Sequence, residues 1–226
     1  MTTGEQQIVR VLLVDDEPLI RSGLRFVLGD HPSVEIVGEA ADGAEAIELV
    51  RARHPDVVLM DVRMPGIAGP EAAAQIVASS SAKVLAMTSF DSEDQLLRML
   101  TAGASGYLLK DEGAARIVDA VLRTAAGETV VSGTSTAQLV RRAVQSERGV
   151  GRRDAEQRIT ALTARESQVA QQVAAGSTNQ EIGALLHLSA ATVKTHLEQV
   201  FAKLGVRNRV QVGVILERAG LGPTDI

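Results

Sequence analysis

The sequence predicts an α/β domain built on an open parallel sheet, followed by a small all-helical domain. Three observations carry that expectation. Apolar, β-branched stretches recur at residues 8–14, 34–37, 57–62, 83–88 and 106–109, each followed by a segment of helical period. From about residue 128 this alternation stops. Beyond it, "TARE" at 163–166 and "TNQE" at 178–181 each place a threonine three residues before a glutamate, ahead of helical apolar spacing.

In the first half the central apolar stretches are nearly continuous, as strands covered on both faces must be, so five βα units around a parallel sheet are the economical arrangement. Gly103 and Gly106 punctuate the approach to the last strand, and Pro70 sits where a helix can use it in its first turn. Residues 128–158 mix small, glycine-containing and charged stretches and read as a linker, with a short helix at 137–145. Arg141, Arg142, Arg148, Arg152 and Arg153 lie in it, read as solvated side chains of a tether before phosphate contacts. In the last part the two Thr/Glu boxes mark two short helices separated by Gly176, and Ser189 is the expected N-cap of a third. Three short, closely connected helices suggest a helix-turn-helix.

Composition narrows the chemistry. The chain has 226 residues and no cysteine, which excludes disulfides, thiol catalysis and thiolate metal sites and fits a reducing cytoplasm. His31, His54, His187 and His196 are too scattered to suggest a metal cluster. No apolar run has the length of a membrane helix, and "MTTGEQQIVR" lacks the basic and apolar regions of a signal peptide, so a cytoplasmic protein with no membrane partner is expected. The formal net charge is −5, unevenly spread: residues 1–126 carry 11 basic against 19 acidic side chains, and 127–226 carry 12 against 9. An acidic half suits a cation and a mildly basic half suits a polyanion.

Ligands of an open α/β sheet bind at the carboxyl ends of its strands. Strand one ends in Asp15 and Asp16, strand three in Asp61, strand four in Thr88 and strand five in Lys110. Singly, each has an ordinary role: the aspartates as caps, Thr88 as the start of a cap, Lys110 as a solvated lysine. Separate roles do not explain why all five share one edge. Three neighbouring carboxylates repel one another unless a cation neutralises them, and hard oxygen donors suit Mg2+. Beside such an ion an aspartate can attack phosphorus while a lysine and a hydroxyl hold the phosphoryl oxygens.

"VLLVDDEP", "VVLMDVRMPG", "AMTSF" and "GYLLKD", in this order and spacing, resemble the receiver domain of two-component response regulators over residues 7 to about 127. The resemblance implies a flavodoxin-like sheet of order 2-1-3-4-5. It also implies that Asp61 accepts a phosphoryl group from a phosphohistidine on a sensor histidine kinase. Asp16, Asp61 and the backbone carbonyl of Arg63 would bind Mg2+, with Asp15 acting through a water. Lys110 would pair with the phosphoryl group, Thr88 would donate to it, and Tyr107 matches the family's aromatic switch position. Read from the residues alone, Tyr107 is equally a strand aromatic with a wet hydroxyl. Two departures stand out: Asp111 follows Lys110 where many relatives have a cis proline, and Ala68 and Pro70 stand where relatives often have an acid and an apolar residue.

The third helix of the last part is read in projection at about 100° per residue. Val193, Leu197, Val200, Phe201 and Leu204 form its apolar stripe; Ala191, Thr195, Glu198 and Ala202 lie opposite, flanked by Thr192 and Lys194. Small side chains, a hydroxyl and an acid able to accept from a cytosine amino group make a plausible major-groove face, balanced at this point against a merely solvated one. "LTARESQVAQQVAAGSTNQEIGALLHLSAATVKTHLEQVFAKLGVRNR" resembles the LuxR-type DNA-binding domain of NarL/FixJ-type response regulators, a likeness spanning about 159–222. It implies a four-helix helix-turn-helix domain in which Lys194, Thr195 and Glu198 face DNA while Thr178, Asn179, Arg207 and Arg209 clamp phosphates. His196 reads as packing or a phosphate contact. A fourth helix over 207–220 would offer a dimer surface through Val210 and Val214.

Together the resemblances imply a phosphorylation-controlled transcription regulator that binds promoter DNA as a homodimer, its recognition helix hidden against the receiver before phosphorylation in many relatives. Its phosphoryl transfer is self-directed, so it is not expected to be an enzyme. A Mg2+-dependent phosphohydrolase is the rival from another class, weakened because position 63 is Arg63 and not the second acid such enzymes use. A DNA-binding protein whose receiver only docks is the milder one.

Overall fold

The computed structural model describes residues 8–89, 93–131 and 152–222. The chain forms two compact units, Met1–Ser132 and Gly133–Ile226. The linker helix expected at 137–145, with Arg141, Arg142 and Arg148, lies outside the described residues.

The first unit alternates strands and helices: β1 (Val9–Val14), α1 (Pro18–Gly29), β2 (Val34–Ala40), α2 (Gly43–Arg53), β3 (Val57–Asp61), α3 (Gly69–Ser79), β4 (Lys83–Thr88), α4 (Glu93–Thr101), β5 (Gly106–Leu109), α5 (Ala114–Ala125) and β6 (Val130–Val131). All strands are parallel, in the order β2-β1-β3-β4-β5-β6. The five expected strands are present in the order 2-1-3-4-5, and β6 extends the sheet into a stretch the sequence assigns to the linker. That short strand is possible because Gly106, paired with Val130, has no side chain: a Cβ there would stand 2.6 Å from the Val130 carbonyl oxygen.

Alternation along each strand divides the core into two layers. Val11, Leu13, Val57, Leu59, Leu85, Met87 and Leu108 pack with Leu24 and Leu28 of α1 and Ile117 and Val121 of α5. The intervening Leu12, Val58, Met60, Val84 and Ala86 are equally buried, toward the face against which α2, α3 and α4 lie. Pro18 occupies the first turn of α1, where its missing N–H costs nothing, and Asp42 caps α2 by accepting from the N–H groups of Ala44 and Glu45. Both faces being covered, the strand ends are the sheet's open edge.

The second unit is helical: α6 (Arg152–Ile159), α7 (Ala164–Ala174), α8 (Asn179–Leu186), α9 (Ala190–Leu204) and α10 (Arg209–Arg218). Both capping boxes close as expected, on Thr163 with Glu166 and on Thr178 with Glu181, and Ser189 caps α9. Val193, Leu197, Val200 and Leu204 are buried and Phe201 packs at their margin, against Val169, Val173, Ile182, Ile215 and Leu216. The turn between α8 and α9 is tight. Leu188 N–H donates to the Gly183 carbonyl at 2.8 Å, and a Cβ on Gly183 would meet the Leu188 oxygen at 2.6 Å.

Two features differ from expectation. Helix α6 begins inside the stretch read as a tether; it carries Arg152 and Arg153, and Ala155 joins the helical core. Its surface is held by ion pairs at helical spacing, Arg152 with Glu156 and Arg158 with Asp154, and its inward side is marked only by Ala155 and, at its end, the partly buried Ile159. Helix α10 starts at Arg209 and not 207, because Asn208 caps it by accepting from Gln211 N–H. Val210 is buried and Val214 half-buried, so of the two residues expected to offer a dimer surface only Val214 is partly displayed.

Glu166 does more than cap. Its carboxylate also receives Lys203 Nζ from α9 at 2.8 and 2.6 Å, tying α7 to α9. That ammonium, then the Thr163 N–H, hold Glu166 down to about 2 from an ordinary 4.5. A carboxyl depressed in the fold contributes stability that is complete above its unfolded value and lost as pH falls through the folded one. We expect the helical unit to loosen between pH 4.5 and about 2, read as faster amide exchange in α7 and α9, and Lys203→Met to lower its stability at neutral pH by about 1–3 kcal/mol.

Candidate functional site

The sheet brings the expected residues to one edge. Asp61 and Thr88 are the last residues of β3 and β4, Asp15 and Asp16 follow β1 directly, and Lys110 follows β5. The register makes this inevitable: Val14 lies beside Met60, Asp61 beside Met87, and Thr88 beside Leu109. Lys110 N–H donates to the Thr88 carbonyl at 2.7 Å and Val62 N–H to that of Met87 at 3.0 Å, continuing the ladder past the strand ends.

Asp15 is 1% exposed and Asp61 7%, whereas Asp16 is open to solvent. Carboxylate oxygens of the three lie within 4.8 Å of one another. Into this cluster Lys110 inserts its ammonium, 2.6 Å from Asp15 Oδ2 and 3.0 Å from Asp61 Oδ2. Glu17, which the sequence reading passed over, stands 3.8 Å away on the outer side. Burial pushes the Asp61 carboxyl above its ordinary 3.8 and Asp15 adds to the rise, while Lys110 and the Arg63 N–H oppose it. For Lys110 burial acts downward, but hydrogen bonds and charge from Asp15 and Asp61 outweigh it and hold the ammonium above its ordinary 10.5. The donor set is all oxygen, and Asp16 faces water, which suits a hard cation that keeps part of its hydration shell.

The other expected residues are near. Arg63 meets the pocket through its backbone, by a hydrogen bond to Asp61. Thr88 and Tyr107 are each 1% exposed, so the Tyr107 hydroxyl is inside and not wet as read from the residues alone. The Lys110–Asp111 peptide is trans. Gly69 was not singled out, yet it lets the loop after β3 fold onto the site: a Cβ there would stand 2.7 Å from the carbonyl oxygens of Asp61 and Val62. Ala68, the N-cap of α3, and Pro70, in its first turn, flank it.

In the second unit α9 presents Ala191, Thr192, Thr195, Glu198 and Ala202 to solvent, with Lys194 and His196 half-buried on the flanks. Thr195 Oγ1 donates back to the Ala191 carbonyl at 3.2 Å and Thr192 Oγ1 lies 2.8 Å from Ser189 Oγ, so both hydroxyls are oriented by their own helix. Thr178 and Arg207 are exposed and Asn179 half-buried. Arg209 departs from its expected place. It is 9% exposed, and its guanidinium donates to the Ser177 carbonyl, holding α10 to the α7–α8 connection.

The family profile of the response regulator receiver domain matches residues 11–122, and that of bacterial regulatory proteins of the luxR family matches 160–216. The transcriptional regulatory protein LiaR of Bacillus subtilis is 37% identical over 212 residues, 93% of this chain and 98% of that protein. The nitrate/nitrite response regulator protein NarL of Escherichia coli is 32% identical over 93% of this chain and 96% of its own. Among solved structures, the response regulator ChrA of a heme-sensing two-component system covers 95% of this chain and 98% of its own at 33% identity and a TM-score of 0.51. A LuxR-family two-component response regulator from Aurantimonas covers 62% and 98% at 33% identity and 0.54.

Because burial holds the Asp61 carboxyl above its ordinary value, its ionised form costs the fold stability, a cost present above that value and absent below it. Asp61→Asn should raise the unfolding midpoint at neutral pH in chelator, with the gain shrinking as pH falls through the raised folded value and gone below 3.8; an equal or lower midpoint at neutral pH would contradict it.

Proposed function

The chain belongs to the response regulators that join a receiver domain to a LuxR-type DNA-binding domain, and from that premise we propose that Asp61 is its phosphoacceptor and that α9 is its DNA-reading helix. Phosphorylation control is the standard mechanism of this family, and the relatives are transcriptional regulators, not enzymes with a turnover substrate. We assign the receiver to 7–127, with β6 added at its sheet edge, and the DNA-binding domain to 159–222, with α6 packed onto it through Ala155.

The observation that carries this reading is the Lys110 ammonium between Asp15 and Asp61. An Asp61 oxygen attacks the phosphorus of a kinase phosphohistidine; the new O–P bond forms as the N–P bond breaks, the imidazole nitrogen leaves with the electron pair, and an acyl phosphate remains. Lys110 then exchanges a carboxylate for phosphoryl oxygens, and the buried Thr88 hydroxyl donates to them. Asp16, Asp61 and the Arg63 carbonyl would hold Mg2+, with Asp15 acting through a water, and the bound ion would neutralise charge on the transferring group. Drawing Thr88 toward the phosphoryl group alters the packing around Tyr107, biasing the receiver between two states. The biased equilibrium favours a homodimer whose α9 helices enter the major groove.

On that helix Thr195 and Glu198 read bases, flanked by Lys194 and Thr192; outside it, Thr178 and Asn179 at the start of α8 and Arg207 before α10 approach phosphates. Arg209 supports this surface from beneath, through Ser177. No helix among the described residues is long and apolar enough to cross a membrane.

Incubation with a small phosphodonor should add one phosphoryl unit to the parent in the presence of Mg2+ and none to Asp61→Ala; labelling that survives the substitution would refute the assignment. On duplex DNA, Lys194→Ala should weaken binding across sequences and lower the salt slope by about 1. Glu198→Ala should instead change which bases are preferred, by roughly 1–3 kcal/mol at the affected position.

A further inference from the structure

Arg21, in the first turns of α1, has no role in the transfer chemistry, yet its guanidinium reaches the pocket's frame. It donates to the Asp15 backbone carbonyl, and its Nε lies 3.4 Å from Glu39 Oε2 near the end of β2. Glu39 in turn receives Arg25 from the next turn of α1. Side-chain exposure is 17% for Arg21 and 22% for Glu39, so the bridge is shielded on most of its surface. We propose that Arg21 is a positioning residue for the cation pocket, fixing the peptide between Asp15 and Asp16 so that both carboxylates face the metal. The proposal rests on the metal-pocket reading above.

The carbonyl that Arg21 holds belongs to the peptide plane joining the two aspartates. Rotating that plane would swing the following Cα–Cβ bond, and with it the Asp16 carboxylate. Other restraints act on the preceding side. Asp15 N–H donates to the Ala40 carbonyl at 3.1 Å, and Asp15 Oδ1 accepts from Glu17 N–H at 2.9 Å. These fix Asp15 at its amide and its side chain, and the Arg21 contact adds the carbonyl. Asp16 is exposed, so burial contributes little to its orientation.

The planar fork of arginine can meet a carbonyl and a carboxylate together, and the single ammonium of a lysine has no such fork. Glu39 offsets the charge of Arg21, which allows a cation to stand behind a pocket that must itself receive one. Outer partners of this kind orient metal ligands, and their loss weakens metal binding by roughly 10-fold or more.

The sign of the effect separates positioning from electrostatics. Removing a positive charge near the pocket would by itself make Mg2+ bind more tightly; losing the clamp makes it bind more weakly. The experiment titrates full-length parent, Arg21→Met, Arg21→Lys and Asp16→Asn with MgCl2 by calorimetry, alongside unfolding midpoints in chelator and phosphodonor labelling across Mg2+ concentrations. Arg21→Met should raise the Mg2+ dissociation constant roughly 10-fold, with labelling restored at saturating Mg2+. Arg21→Lys should fall between it and the parent. Equal or tighter binding by Arg21→Met overturns the positioning role, and if that variant does not fold, parent-like binding by Arg21→Lys overturns it alone. A parent that takes up no Mg2+, or an Asp16→Asn variant that binds like the parent, overturns the metal-pocket reading itself, and this inference with it.

Discussion

The Lys110 ammonium held between the Asp15 and Asp61 carboxylates is the interaction on which the carboxyl edge of the sheet depends. Two acids, nearly buried, with a third beside them, would repel one another at the ends of adjacent strands. One cation delivered from the end of β5 pairs with two of them, leaving the edge net negative, and does not close the pocket, because Asp16 remains in water. The core beneath tolerates this cost. Leu12, Leu13, Leu59, Met60, Leu85 and Met87 are fully or almost fully buried, and each such side chain contributes about 1.5–3 kcal/mol on burial. The sheet therefore works as a rigid base that holds three carboxylates together at one edge, the arrangement on which the proposed metal and phosphoryl binding rests.

Much of this was legible in the sequence because strand chemistry is local. Apolar stretches ending in an acid, a hydroxyl or a lysine announce both the strand and its exposed end, and the parallel register does the assembling. Threonine and glutamate three residues apart announce helix starts equally well, and both boxes close as read. Less legible were features decided by partners far along the chain. Strand β6 has two residues and no pattern; it depends on the missing side chain of Gly106. Helix α6 hides its single buried alanine among charges. The Lys203 bridge to Glu166 and the Arg21 bridge to Glu39 join residues on different elements, which no periodicity reveals.

The two arginines of "GVRNR" show the same limit from the other side. Both are basic residues at the start of the last helix, and both were read as phosphate clamps. Arg207 is exposed as expected, whereas Arg209 is buried with its guanidinium on the Ser177 carbonyl. A cation's charge is visible in the sequence, but the acceptor that claims it is not. The proposed DNA face is correspondingly built in two layers. Val193, Leu197 and Val200 fix the roll of α9 from within, and the tight turn at Gly183 fixes its approach. What remains outside is a strip of small and hydroxyl side chains around Glu198.

The claim that joins the two units is that phosphate on Asp61 changes the affinity of α9 for DNA. The direct measurement is binding of a labelled duplex, selected from a random pool by the protein itself, with and without a small phosphodonor in Mg2+, for the parent and for Asp61→Ala. Tighter binding by the phosphodonor-treated parent, with no response from Asp61→Ala, is the expected result; equal binding by both proteins under phosphodonor would contradict it.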